Sequence, residues 1–506
     1  MPTLQELKDK WFLNVNLANF FPPQKRHPGT QVSPYTDNNL VEVLIDGYAI
    51  MSDFNDRIDK MITSPADPTQ HEMWITSWRI DPVKLLGLSN PTLDAEKKIL
   101  NAADNGLKVY YLGSGHFSRD NDAIDFAVKL GNFGSNGASD KRFPVWGCHH
   151  QKFQVFHGPS NDWVAVLGSA DLSFTRWDTP EHLDINPDRP EEGGPTHDLA
   201  VIVRGPVVHD IALSFAERWN DITNRDRTEK KIDTTISTGF LSTPIPPPAG
   251  GTHSIQVLRT YPIEANRGYS WSEQGEFTIW AAYLNAIKNA GQYIYVEDQY
   301  FYTFGDPPAI EEPAGTLRDS DLVYQLGEAL KRGVDVVILV PGRSEDLGAW
   351  YQLYQRGKAA HYLKDIADSQ AAPVGRFVIC SLKVGNKEPV VHSKLMIVDD
   401  EFVLIGSANF NQRSMTHDTE IHLGIIDSLH NFAKILRISL WQEHMEITDS
   451  NSIDDPAVGV GNFHDNAENE LGRLRIFPTD DPGSFPCCHG LIMNHIIDPY
   501  KGPERS

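Results

Sequence analysis

Four cysteines in 506 residues leave this chain without the material for a disulfide framework. Cys148, Cys380, Cys487 and Cys488 are scattered, and the vicinal pair Cys487-Cys488 lacks the spacing of zinc ligands, so neither a required disulfide nor a structural zinc is expected. Long apolar runs are also missing. No window approaches the roughly 18 uninterrupted apolar residues of a membrane-spanning helix, which excludes an integral membrane protein of that kind. Basic residues are scarce, 45 against 68 acidic ones, for a formal charge of −23. Such a field opposes nonspecific attraction to nucleic acid or anionic lipid surfaces, so no nucleic acid partner is expected. The first ten residues mix both charges and lack the apolar segment of a secretory signal. A cytoplasmic location follows as the default, with a signal-independent export route as the alternative.

What the chain does contain is a repeat. The stretch His392-Ser393-Lys394-Leu395-Met396-Ile397-Val398-Asp399-Asp400, followed by Gly406-Ser407-Ala408-Asn409, returns in most of its pattern as His150-Gln151-Lys152 and Gly168-Ser169-Ala170-Asp171. The flanks match too. Asp198 opens the apolar run Leu199 to Val203, Glu420 opens Ile421 to Ile426, and each acid lies 21 residues before a tryptophan, Trp219 or Trp441. Upstream, a helical pattern over 95–107 precedes an apolar strand over 108–112, and 322–332 precedes 334–340 in the same order. The runs 73–78 and 293–297 read as opening strands. The expected fold is α/β, two similar α/β lobes related by pseudo-two-fold symmetry, packed face to face, with the active site at their interface. The proline-rich segment 234–251 is the natural linker between them. The expected domains are a first lobe over 1–245, a second over 246–450, and a C-terminal tail over 451–506 that wraps the surface.

Positions i and i+2 of a strand share a face, so His150 and Lys152, like His392 and Lys394, are expected to project together from strands. Two-fold packing then sets two imidazoles and two ammonium groups around one small volume. That set suits a phosphoryl centre. Lysines supply positive charge to non-bridging oxygens, one imidazole attacks phosphorus and the other protonates the leaving alcohol. An attacking imidazole wants a carboxylate on its other nitrogen, and Asp198 and Glu420 are the candidates. The small residues around Ser169 and Ser407 are expected to let backbone approach the phosphate, with Ser407 or Asn409 donating hydrogen bonds. The scheme needs no metal and no other cofactor. His149 is a weaker candidate for substrate contact, and His417 and His422 read as structural or surface residues.

The paired H-x-K-x4-D cassette resembles the phospholipase D superfamily. Further runs resemble its eukaryotic type, the plant enzymes above all: His149 to Lys152, Asp171-Leu172 with Arg176 to His182, Glu297 to Phe301, and Gly406 to Ser414. The likeness covers the chain from about Val41 to His444. It implies hydrolysis of a phosphodiester through a phosphohistidine, with His150 as nucleophile and His392 as general acid and later base. It further implies that Lys152, Lys394 and Asn409 bind phosphate and that Asp198 and Glu420 pair with the histidines; Ser169, Asp171 and Ser407 are expected, with Asn409, to bind substrate. The implied substrate is a glycerophospholipid at a membrane surface, cleaved to phosphatidic acid, with possible transfer to another alcohol. A monomer is favoured. Phosphodiesterase or nuclease action on a non-lipid substrate, and a catalytically silent lipid-binding role, remain the alternatives.

Two departures from the family stand out. Five positions after Lys152 the pattern calls for an acid, the counterpart of Asp399, yet the residue is His157. The following turn is expected to be four residues longer than its counterpart, setting Asp162 opposite Asp400 with local changes only. Plant enzymes also carry a calcium-dependent lipid-binding domain where this sequence has only about 40 residues before the first strand of its first lobe. The expectation is that this protein meets lipid through its active-site rim or accepts a more soluble diester.

Overall fold

A computed structural model describes residues 2–14, 30–63, 66–81, 94–115, 120–189, 193–222, 244–263, 269, 272–304, 317–343, 349–369, 374–483 and 496–500. Most of the expected linker, and Cys487 and Cys488, lie outside these residues, while Cys148 and Cys380 are buried and free. Among the described residues no helix is long and apolar enough to cross a membrane.

Among the described residues the apolar runs form one sheet of sixteen strands. The first half contributes β1 (Thr36–Ile45), β2 (Glu72–Ser77), β3 (Lys108–Ser114), β4 (Asn136–Asp140), β5 (Phe153–Gly158), β6 (Asp162–Gly168) and β7 (Leu199–Arg204). The second contributes β8 (His253–Tyr261), β9 (Tyr293–Asp298), β10 (Asp335–Leu339), β11 (Phe377–Leu382), β12 (Lys394–Val398), β13 (Phe402–Gly406) and β14 (Glu420–Asp427). Strand order is β1-β7-β6-β5-β2-β3-β4 in one half and β8-β14-β13-β12-β9-β10-β11 in the other. Every pairing direction matches as well, antiparallel through β2 or β9 and parallel beyond. The repeat is therefore a repeat of topology.

The lobes do not stack face on face as the sequence suggests. They join edge to edge, where β1 pairs antiparallel with β8 through Thr36↔Ile255 and Asn39↔His253. This junction removes one exposed edge from each lobe. One core runs unbroken across the shared sheet face, under the helices Val207–Ile222 and Phe432–Met445, whose Trp219 and Trp441 are fully buried. On the other face each lobe keeps its own core. The C-terminal tail also does more than wrap. Its helix Pro456–Glu468 buries Val460 and Phe463, and β15 (Leu474–Ile476) extends the sheet beyond β11.

His157 proves remote from the cassette's chemistry. The β5–β6 hairpin pairs six residues a side, against four in β12–β13. The extra residues thus lengthen the ladder, and the connecting turn does not grow. His157 sits mid-ladder opposite Trp163 and stacks on it at 4.2 Å, roughly 17 Å along the strand from Lys152 at about 3.3 Å per residue. Asp162 is an exposed ladder residue opposite Gly158 and takes no role like that of Asp400. Asp399 anchors its turn, accepting the N–H groups of Gly291 at 2.8 Å, Gln292 at 2.8 Å and Tyr293 at 3.1 Å. Replacing Asp399 by Ala leaves those donors at the start of β9 without this acceptor and should cost about 3 kcal/mol. A thermal scan is expected to show unfolding several degrees lower, whereas His157→Ala should shift it far less.

Candidate active site

The two cassettes enter their strands from extended segments, and His150 and His392 lie just before β5 and β12 rather than within them. Each segment lies parallel to the approach to the other lobe's acid strand: His149 pairs with Thr419, and Val391 with His197. The His150 N–H donates to Thr419 O at 2.9 Å, and the His392 N–H to His197 O at 2.8 Å. This crossing delivers each histidine to the carboxylate of the opposite lobe. His150 Nδ1 lies 2.9 Å from Glu420 Oε1, and His392 Nδ1 lies 2.7 Å from Asp198 Oδ1. Both acids are fully buried.

Between them lies a cavity of about 330 Å³, lined by His150, His392, Asp171, Arg176, Asn409 and Gln299 among others. The lysines are buried behind this lining and touch it through the residues they bond. Lys152 Nζ donates to His150 O at 3.1 Å and lies 3.5 Å from Asp171, while Lys394 donates to His392 O and approaches Gln299 Oε1 at 3.5 Å. The charge partners are exchanged between halves. In the first, Asp171 follows the glycine motif and binds Ser77 at the end of β2 at 2.7 Å. In the second, the acid is Asp298 at the end of β9, and Asn409 stands where Asp171 would be. Asp298 accepts the Phe410 N–H at 2.9 Å and supports the charge of Lys394. Each lysine therefore keeps one acid, contributed from opposite ends of the same contact.

Burial governs the proton states. It pushes Glu420 up to about 8 against the pull of Lys152, and raises Asp198 against Arg176 and Lys394. Burial and the neighbouring lysines hold both His150 and His392 well below the usual imidazole range. Burial thus drives each imidazole–carboxylate pair towards net neutrality. Lys394 is lowered to about 7 by burial despite Asp298 and Asp198.

Several expected substrate contacts are placed elsewhere. Ser169 Oγ donates to Asp198 at 2.6 Å and Ser407 Oγ to Glu420 at 2.5 Å, so both hydroxyls hold carboxylates instead of facing the cavity. Asp171 lines the cavity, but as the lysine's counter-ion it repels a phosphate. Gly168 and Gly406 serve strand packing: an added Cβ would lie 2.3 Å from Leu199 O or Ile421 O. His149 is fully buried on Asp140 and Thr419, out of reach of a substrate. His417 and His422 are buried on Val145 O and on the backbone of β14. Asn409 stands in the cavity with its Oδ1 lacking a hydrogen-bond partner. Arg176, Gln299 and Gln352 also line it; the first two lie inside the quoted runs, whereas Gln352 carried no sequence signal.

One buried cluster near the cavity could hold a metal ion. Asp46, His182, His197 and Glu443 bring ligand atoms within 4.8 Å of one another beside the His392–Asp198 pair. Asp46 Oδ2, His182 Nε2 and Glu443 Oε1 are buried without a well-aligned hydrogen bond, His182 Nε2 lying 3.4 Å from Glu443 Oε1 and 3.8 Å from Asp46 Oδ2, a donor set that suits a divalent cation. Without one, burial disfavours charge on His182, yet Asp46, Asp178 and Glu443 lift it to about 9. Three of the four ligands come from the first lobe and Glu443 from the second, so a cation would clamp the lobes. It would act there as a fixed charge beneath His392, whose N–H bonds His197 O.

The chain matches two family models, one described as Phospholipase D over residues 97–306 and one as Cardiolipin synthase, PLD-like domain, over 283–441. It is 25% identical to Phospholipase D A of Dictyostelium discoideum, the match covering 74% of this chain and 34% of that protein. It is 26% identical to Phospholipase D delta of Arabidopsis thaliana, covering 59% and 48%, and 28% identical to Phospholipase D alpha 1 of Carica papaya, covering 60% and 49%. The matches thus span about a third to a half of these relatives. The crystal structure of phosphatidylserine synthase from Haemophilus influenzae Rd KW20 superposes with a TM-score of 0.49 at 13% identity, covering 83% of this chain and 92% of that one.

Two measurements probe this geometry without assuming a substrate. In chelator-treated protein, millimolar calcium, manganese or zinc should raise the unfolding temperature by several degrees, about 2.7 kcal/mol at a hundredfold excess over Kd. The rise should vanish in Asp46→Asn and Glu443→Gln; an equal rise in both variants would refute the site. Sulfate entering the cavity should restore the charge of Lys394. Because burial lowers it to about 7, that charge is largely absent at pH 8, so calorimetry in buffers of different ionisation enthalpy should read net proton uptake on sulfate binding, and clearly less in Lys394→Met.

Proposed function

Because this chain belongs to the phospholipase D superfamily, we propose that it is a phosphodiesterase that hydrolyses the head-group diester of glycerophospholipids to phosphatidic acid through a phosphohistidine. One observation carries this reading: two imidazoles face one cavity, each with Nδ1 on a buried carboxylate of the opposite lobe. With Nδ1 engaged, Nε2 is the nitrogen left for chemistry.

In the first step His150 Nε2 attacks phosphorus, forming the P–N bond as the bond from phosphorus to the head-group oxygen breaks. His392 Nε2 gives its proton to that leaving oxygen, and Glu420 steadies the charge left on His150. In the second step His392 takes a proton from water, whose oxygen attacks phosphorus and breaks the P–N bond. An alcohol in place of water gives a transferred phosphatidyl group. Lys152, Lys394 and Asn409 supply positive charge and hydrogen bonds to the non-bridging oxygens, with Arg176 beside His392 as a further cation. Ser169 and Ser407 act through the carboxylates they hold. A phospholipid at a membrane surface is the proposed substrate, because the diester of a lipid head group meets the geometry while the charge of −23 disfavours a polyanion.

Replacing His392 by Ala should reduce choline release from phosphatidylcholine by about 10⁴-fold or more, as should His150→Ala. Ethanol added to the unmodified protein should yield phosphatidylethanol. Nuclease activity on single-stranded DNA with none on lipid would overturn the substrate, and unchanged release in either variant would overturn the mechanism.

A further inference from the structure

The segment that carries His150 towards the cavity begins with a turn whose sequence is unfavourable for its own backbone. Pro144 to Gly147 close a four-residue turn, the Gly147 N–H donating to Pro144 O at 2.8 Å. Its third residue, Trp146, adopts φ 68°, a position where turns ordinarily place glycine or asparagine. A bulky aromatic residue there is strained, and strain of this kind points to a task for the side chain.

That side chain and its neighbour face outward: Trp146 is 42% exposed and Val145 65%. The turn is nonetheless held firmly by the second lobe. Val145 O accepts from His417 Nε2 at 3.0 Å, Trp146 O accepts from the Arg413 guanidinium, and the Cys148 N–H donates to Asp418 at 2.8 Å. Arg413, Asp418, Cys148 and His150 all line the active-site cavity, so the exposed tip stands beside it. Elsewhere Gln352 lines the cavity, and its near neighbours Trp350 and Leu353 are 48% and 36% exposed.

Resting on the phospholipid reading above, we propose that Val145 and Trp146 form an interfacial anchor that inserts into a zwitterionic phospholipid surface and sets the cavity mouth against it, with Trp350 as a second contact. Indole rings favour the boundary between head groups and acyl chains. The formal charge of −23 selects the lipid class, since it repels an anionic surface and leaves apolar insertion as the attraction. A rigid turn suits this task because the anchor then aligns the mouth without ordering a loop on binding.

The test uses Trp146→Asn, because asparagine accepts the left-handed conformation and should leave the turn intact or steadier. Sedimentation with phosphatidylcholine vesicles should show the variant binding about tenfold more weakly than the unmodified protein, Trp350→Ser weakening it a few-fold. The unfolding temperature of Trp146→Asn should be equal or higher, and its cleavage of a short-chain phosphatidylcholine below its micelle concentration should be unchanged within about twofold. Unchanged vesicle binding by Trp146→Asn, or no vesicle binding by the unmodified protein, would overturn the anchor. So would a lower unfolding temperature together with weaker binding, which would make the indole a structural residue. Vesicle binding lost in Trp146→Asn while the unmodified protein releases choline from no lipid would support the anchor and sink the lipid hydrolase reading instead.

Discussion

Each histidine of the candidate site takes its carboxylate from the other half of the molecule, and much of the architecture answers to that exchange. Asp198 and Glu420 are fully buried at the starts of their acid strands, where an unpaired carboxylate would be expensive to hold. The serine directly after the glycine that ends β6 or β13 satisfies part of each acid, and the imidazole from across the junction satisfies more. Neither lobe alone can complete its own pair. The edge-to-edge register of β1 on β8 therefore does more than extend a sheet, because a slip there would separate both pairs at once.

The same economy of charge runs through the cavity. Two buried lysines would repel each other and their histidines, so each keeps one acid close by, Asp171 for Lys152 and Asp298 for Lys394. The acids come from different places in the repeat. What the two halves share is the number of charges at the contact, while the residue that supplies the charge has been exchanged. Burial still holds Lys394 near neutrality, and an anion is the natural means of restoring its charge. Beside this centre, Asp46, His182, His197 and Glu443 gather a second set of charges whose unsatisfied atoms suit a cation.

The parts of this protein that were legible in its sequence are those that depend on near neighbours in the chain. Helix followed by strand at 95–114 and 322–339, the opening strands at Glu72 and Tyr293, and the matched spacing from acid to tryptophan all follow from local periodicity. The histidines and lysines could be picked out because they recur. Their neighbours were harder to read. Ser169 and Ser407 looked like phosphate contacts because small polar residues beside a cassette fit that role, yet they lie against the acids of the adjacent strand. Gly168 and Gly406 were similarly placed by strand packing. His157 looked like a defect because motif spacing counts residues from Lys152, whereas the ladder counts pairs, and two extra pairs carry that position away from its apparent counterpart.

The sequence by itself determined that two α/β halves of like topology exist, which histidines and lysines they share, and that phosphoryl chemistry suits them, since repeated motifs and hydrophobic period are properties of the chain. Only the tertiary structure decided that the lobes meet at their edges, that each imidazole is oriented from the opposite lobe, and that Asp46 and Glu443 converge on the same histidines. Those relations are distances between residues far apart in the chain, and local patterns carry no measure of such distances. The turn at Trp146 belongs with them: its sequence looks unremarkable, and only its backbone angle and its place beside the cavity give the indole a meaning.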